Sequence, residues 1–97
     1  MYTIENVISK TNYFGLKVEK LASKEGCETL LIALEKEHWF PEHSSPRDVL
    51  LVVLEGDINF FINNTNYHLQ KQQTFSFPAN EKHKVFANEN SKFLIIR

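Results

Sequence analysis

Turn-forming residues punctuate this chain at short intervals, and that spacing limits the fold more than any other feature. They stand at Gly15, Glu25-Gly26, Pro41 to Pro46, Gly56-Asp57, Asn63 to Asn66, Pro78-Ala79-Asn80 and Asn88 to Asn90. The segments between them are short and rich in Val, Ile, Phe, Tyr and Thr. Short β-type runs bounded by turn signals read as a sandwich or barrel. The expectation is an antiparallel all-β chain of at least about eight strands, with no helix longer than about two turns.

The individual segments sharpen this. Thr29 to Leu34 reads as a strand. Val49 to Leu54 is apolar on both faces, which predicts a central strand covered on both sides. Ile58, Phe60 and Ile62 alternate with Asn59, Phe61 and Asn63, the pattern of a half-buried strand. Asn63 to Asn66 reads as a hairpin turn, since Asn tolerates positive φ best after Gly. Tyr67 to Leu69 returns from it. Phe75 and Phe77 alternate with Thr74 and Ser76, and Lys84 to Ala87 and Phe93 to Ile96 complete the set. Phe14 to Leu21 alternates at period two and reads as strand. Ile4 to Ser9 is ambiguous between a short helix and an edge strand, with strand or coil favoured.

The chain has 97 residues, the size of one domain spanning residues 1–97. Its 42% hydrophobic content and eight Phe suffice for a single core. A formal net charge of −1 gives no bulk electrostatic reason to bind nucleic acid or a membrane surface. One cysteine, Cys27, excludes an intramolecular disulfide and reads as a passive thiol in a reducing compartment. The N-terminal residues carry no basic and apolar signal pattern, and no apolar run approaches a membrane span. The expected location is the cytoplasm.

Two histidines stand where chemistry would concentrate. His43, in Pro41-Glu42-His43-Ser44-Ser45-Pro46, precedes the apolar run that ends at Glu55-Gly56-Asp57. His83 follows Pro78-Ala79-Asn80-Glu81-Lys82. From about Leu30 to Ile96 this arrangement resembles the small single-domain cupins of the RmlC-like superfamily. That family's first motif places a glycine, then His-x-His, a glutamate, and a glycine after the next strand. Here Glu37 stands at the first glycine, His43 at the first histidine, Ser45 at the second, Val49 at the glutamate and Gly56 at the last glycine. The second motif places a glycine, a proline, and a histidine five residues after it. Gln72 stands at that glycine, Pro78 matches, Asn80 takes the next glycine's place and His83 matches. The terminal asparagine falls at Ala87, with Asn88 adjacent.

The resemblance implies a double-stranded β-helix, the antiparallel cupin jelly-roll barrel, with a small-molecule cavity at one end. In the family two or three histidines and a glutamate hold a divalent metal. Only His43 and His83 remain to ligate one here, so a Zn, Ni, Fe or Mn ion would be weakly held. Val49, Leu51 and Val53 would give the cavity an apolar floor, with His43, Ser45 and His83 as its polar groups. The expected ligand-binding set is His43, Ser45, Val49, Leu51 and His83.

The remaining polar residues read more plainly. His38 is expected in an exposed loop and His68 as a surface cross-strand partner. Asp48 should face away from Val49, and Glu42 away from His43. Trp39 and Phe40 either rim the pocket, seal a dimer contact or cap the barrel. Tyr67 is the one nearby candidate for a partner acid. No Ser-His-Asp or Cys-His set is present, and three scattered glycines make no phosphate loop. The favoured function is a ligand-binding or sensing module, expected as a homodimer with neither nucleic acid nor membrane as partner. The alternatives are a metal-dependent enzyme of dioxygenase, isomerase or epimerase type, and a structural dimerisation module with a vestigial site.

Overall fold

A computed structural model describes residues 1–97. Nine strands carry the fold: β1 Leu16–Lys24, β2 Cys27–Leu34, β3 Trp39–His43, β4 Val49–Glu55, β5 Asp57–Ile62, β6 Thr65–Gln70, β7 Thr74–Phe77, β8 His83–Ala87 and β9 Ser91–Ile96. They form a five-stranded sheet in the order β1-β2-β9-β4-β7 and a four-stranded sheet in the order β3-β8-β5-β6. Every pairing is antiparallel. This is the expected all-β jelly-roll.

Period-two alternation decides which side chains meet between the sheets. From the larger sheet come Ile32, Leu34, Val49, Leu51, Val53, Phe77 and Phe93. From the smaller come Ile58, Phe60, Ile62, Leu69, Val85 and Ala87. Each of the larger of these side chains, fully buried, contributes about 1.5–3 kcal/mol. The β5–β6 turn is made by Asn63 and Asn64, both at positive φ (55° and 60°), as a tight hairpin demands. Gly56 must be glycine: a Cβ there would collide with Ser91 Oγ and stand 2.5 Å from Asn90 O.

Three expectations need correction. Val7–Lys10 is one turn of helix, labelled α1, not strand or coil. It has no strand partner, because its segment is tied to the larger sheet through side chains instead. Lys92 Nζ donates to Ile8 O at 2.6 Å, and the Tyr13 hydroxyl donates to Glu55 at 2.7 Å. Second, Trp39–His43 is a strand rather than part of the Pro41 to Pro46 turn. Its register with β8 slips between Phe40 and His43, a bulge in which the missing N–H of Pro41 costs nothing. Third, β4 is fully covered on one face only. Val49, Leu51 and Val53 are buried, whereas on the outer side Val52 and Leu54 are half-buried and Leu50 is 39% exposed.

No helix is long and apolar enough to cross a membrane.

Candidate functional site

The bulge in β3 builds the site. Phe40 pairs with Val85 and His43 with His83, so Pro41 and Glu42 of β3 together oppose Lys84 of β8. An unbulged strand would send His43 to the face opposite Phe40. The extra residue returns it to the inner face, where its ring stacks on Phe40 with centroids 4.2 Å apart. His43 and His83 are thus direct cross-strand neighbours although forty positions apart in sequence.

Their hydrogen bonds leave a single polar gap. His43 Nδ1 lies 2.7 Å from Pro41 O, and His83 Nδ1 lies 3.0 Å from Glu81 O. Carbonyl oxygens only accept, so both Nδ1 atoms carry the proton. In two neutral rings each Nε2 is then an acceptor, and these two Nε2 atoms face each other at 3.1 Å. Two lone pairs in that position repel. The pair is satisfied by something electron-poor: a proton on one ring, a metal ion, or a hydrogen-bond donor of a ligand. His83 is 4% exposed and packs against Phe60 and Phe77. Burial, against the backbone hydrogen bond to Glu81 and aided by the His43 ring, holds it below the ordinary imidazole value.

The pair opens onto a cavity of about 320 Å³ between the sheets. Its walls are largely apolar: Val18 of β1, Leu30 and Ile32 of β2, Phe40, Val49, Phe77, and Ile95 of β9. Its polar members are His43, Ser44, Ser45, His83 and Arg97. The expected His43, Ser45, Val49 and His83 therefore meet at one cavity. Leu51 does not line it. It lies fully buried in the core beneath, paired with Ile95 and Phe75. A larger depression of about 820 Å³ lies beside the Asn63–Asn66 turn, but it is polar, with Phe61 and Ile62 its only hydrophobic members, and holds neither histidine. Ligand pockets are mostly apolar with a few convergent polar groups, which favours the smaller one.

The other candidates lie elsewhere. His38 is exposed, its Nδ1 3.1 Å from Lys36 O. His68 is exposed opposite Asn59 and contacts Asp57 Oδ1 at 2.7 Å. Burial alone would raise the Asp57 carboxyl, but hydrogen bonds from Asn88, His68 and Gln70 outweigh it and hold the group below the usual carboxylate range. Asp48 accepts from Ala79 N–H at 2.9 Å, outside the cavity. Glu42 is exposed and lines the polar depression, away from the His43 ring. Tyr67 packs on Phe75 and does not reach the site. Of the aromatic neighbours, Phe40 rims the cavity, whereas Trp39 packs outside with Phe61 and Phe86 under Lys84. Cys27 is free and exposed.

Of the cavity's polar members, the sequence reading missed Ser44 and, with more consequence, Arg97. A signal existed: Phe93, Ile95 and Arg97 alternate along one strand, so an inward Phe93 predicts an inward Arg97.

As a metal centre, the donor set is short. The imidazole separation lets both nitrogens reach one ion at ordinary bond lengths of about 2.0–2.1 Å. However, no group of three or more His, Cys, Asp or Glu gathers anywhere in the protein to hold an ion. The residues present do not fit a tightly held metal.

The family model for the Cupin domain matches residues 30–96. Among solved structures, an RmlC-like cupin protein from Desulfovibrio desulfuricans superposes with a TM-score of 0.86 at 18% identity, over 99% of this chain and 95% of that one. A conserved protein of unknown function from Streptococcus pyogenes gives 0.84 at 20% identity, over 99% and 86%. KdgF from a Halomonas species gives 0.78 at 17% identity, over 84% and 74%. At these identities the likeness is one of fold. No curated protein matches.

Proposed function

The chain belongs to the cupin domain family, and from that premise we propose that it is a small-molecule-binding module whose ligand is anchored by His43 and His83. One observation supports this above the rest: two inward-facing Nε2 acceptors at 3.1 Å, both Nδ1 atoms already engaged, at the polar end of an apolar cavity. Such a pair attracts a donor. Val49 stands where the family has a ligating glutamate, and Ser45 where it has a second histidine. Both changes shift the cavity from ion binding toward organic-ligand binding. His43 and His83 would hold a divalent ion only weakly and not at low pH, because both rings must be neutral to bind it.

A fragment screen by NMR on metal-free protein tests the reading. Hits should shift the amides of His43, Ser45, Val49 and His83 and lose affinity in His43→Ala. Hits confined to other surfaces, or unaffected by that substitution, would overturn it. Elemental analysis of untagged protein bears on the ion: substoichiometric metal, removed by brief chelation, is expected.

A further inference from the structure

The cavity carries a chemical preference beyond its histidines, at Arg97 and Ser45, a preference that rests on its being the ligand site proposed above. Arg97 is held there by Glu28, whose Oε1 accepts from Nε at 3.0 Å and lies 3.0 Å from Nη2 in the ion pair. Lys20 Nζ lies 3.4 Å from the other oxygen, Oε2. Glu28 is thus shared between two cationic side chains, Arg97 and Lys20. The guanidinium edge used by Glu28 leaves Nη1 with a single partner, Ser45 Oγ, at a long 3.4 Å.

Ser45 completes the arrangement. It is 3% exposed, yet its hydroxyl acts only as acceptor, from Arg47 N–H at 3.2 Å and from Arg97 Nη1. Its own O–H finds no acceptor among the protein's groups. Two donors, one of them charged, therefore stand in the lining beside Val49, Phe77 and Ile95, the Ser45 O–H without a protein acceptor and Arg97 Nη1 with only a long contact. Their complement is a planar anion with two oxygens and an apolar body. A phosphate group would need more donors than one free guanidinium nitrogen and one hydroxyl supply.

We infer that the cavity selects a small monocarboxylate with a short hydrocarbon body, its carboxylate received by Arg97 Nη1 and Ser45 Oγ. The body lies against Val49, Phe77 and Ile95. Glu28 competes for the same guanidinium and keeps the affinity moderate.

Butyrate, butyramide and butanol, titrated into metal-free protein by NMR, separate charge from shape. Butyrate should bind about tenfold or more tightly than butyramide, as a charge-assisted contact implies. Arg97→Gln should bring the two to parity. Glu28→Gln retains an acceptor for Arg97 but removes the competing charge, so it should tighten butyrate several-fold. Should Arg97→Gln fail to fold, the amide comparison and Glu28→Gln still decide. If all three probes shift cavity amides with equal affinity, the carboxylate assignment falls while the cavity reading stands. If none shifts them but unrelated fragments do, this ligand class is wrong. Silence from every compound overturns both.

Discussion

Phe40 and His43 stack at 4.2 Å on the same face of β3, although three residues along an unbulged strand would separate them to opposite faces. The bulge that allows this also makes the two histidines unequal. His83 sits within the core, between Phe60 and Phe77, whereas His43 is half-buried at the mouth. His83→Ala opens a cavity and should cost about 2–4 kcal/mol. His43→Ala should cost about 1 kcal/mol or less. Both should weaken ligand binding. Urea unfolding of the two variants checks the split, and equal losses would contradict the packing described.

Acid should weaken the fold through His83. Its folded value lies below the ordinary 6.5, with burial the largest cause. Between that lowered value and 6.5 the unfolded chain binds more protons than the folded one, so stability rises with pH across the window. The contribution is complete above about 6.5 and is lost as pH falls through the folded value. Its steepest slope is about 1.4 kcal/mol per pH unit for one group. Unfolding midpoints from neutral pH downward, in chelator, should show the decline, and His83→Gln should flatten it. An identical slope in that variant would assign the decline to other groups.

Three turns keep the backbone shape of glycine without glycine. Glu37, Gln72 and Asn80 stand where the cupin motifs place glycines, and their φ angles are +67°, +69° and +67°. A non-glycine residue in this region costs about 1–2 kcal/mol, less for Asn. Glycine returns about 0.5–1 kcal/mol of that through its freer unfolded chain. Glu37→Gly and Gln72→Gly should each therefore raise stability by up to about 1 kcal/mol, and Asn80→Gly by less. The sites share no partner, so the gains should add. Thermal melts check this, and a destabilised Glu37→Gly would mean that its side chain has a role the turn does not explain.

Those same positions show how the sequence carried the fold. Gly56, Pro78, His43 and His83 kept motif spacing, and the Asn63-Asn64 turn announced itself by residue type. The strand Trp39–His43 did not, because Pro41 and Glu42 look like a turn and are a bulge. α1 was obscure for a different reason. A single helical turn has too few residues for a 3.6-residue period to appear, and what holds it is distant in sequence: the Lys92 ammonium on Ile8 O. Leu51 was misplaced by depth. Alternation tells which face a residue occupies, but not how far along the strand the cavity ends. Arg97 was legible from alternation, yet its meaning depends on Ser45, fifty-two positions away, and on Glu28.

Apolar surface is left over at the N-terminus and on the outer face of the larger sheet. Met1, Tyr2, Ile4 and Phe14 are among the most exposed large hydrophobic residues, with Phe14 at 79%. Leu50 adds to them on the outer face of β4, and β7 and β6 leave free sheet edges. A monomer pays for such exposure in solubility, and a twofold pair is the commonest way of covering edges and patches together. We therefore expect a homodimer at micromolar concentration by light scattering. The N-terminal arm should be part of its contact, since four of these side chains lie there. Removing residues 1–4 together with Phe14→Ser should shift the equilibrium toward monomer, and at concentrations low enough for both proteins to be monomeric the melting temperature should be nearly unchanged, because none of these side chains is buried within one chain. A wild-type protein that stays monomeric at concentrations well above micromolar would refute the expectation. A dimer indifferent to the arm would move the contact to Leu50 and the edge strands.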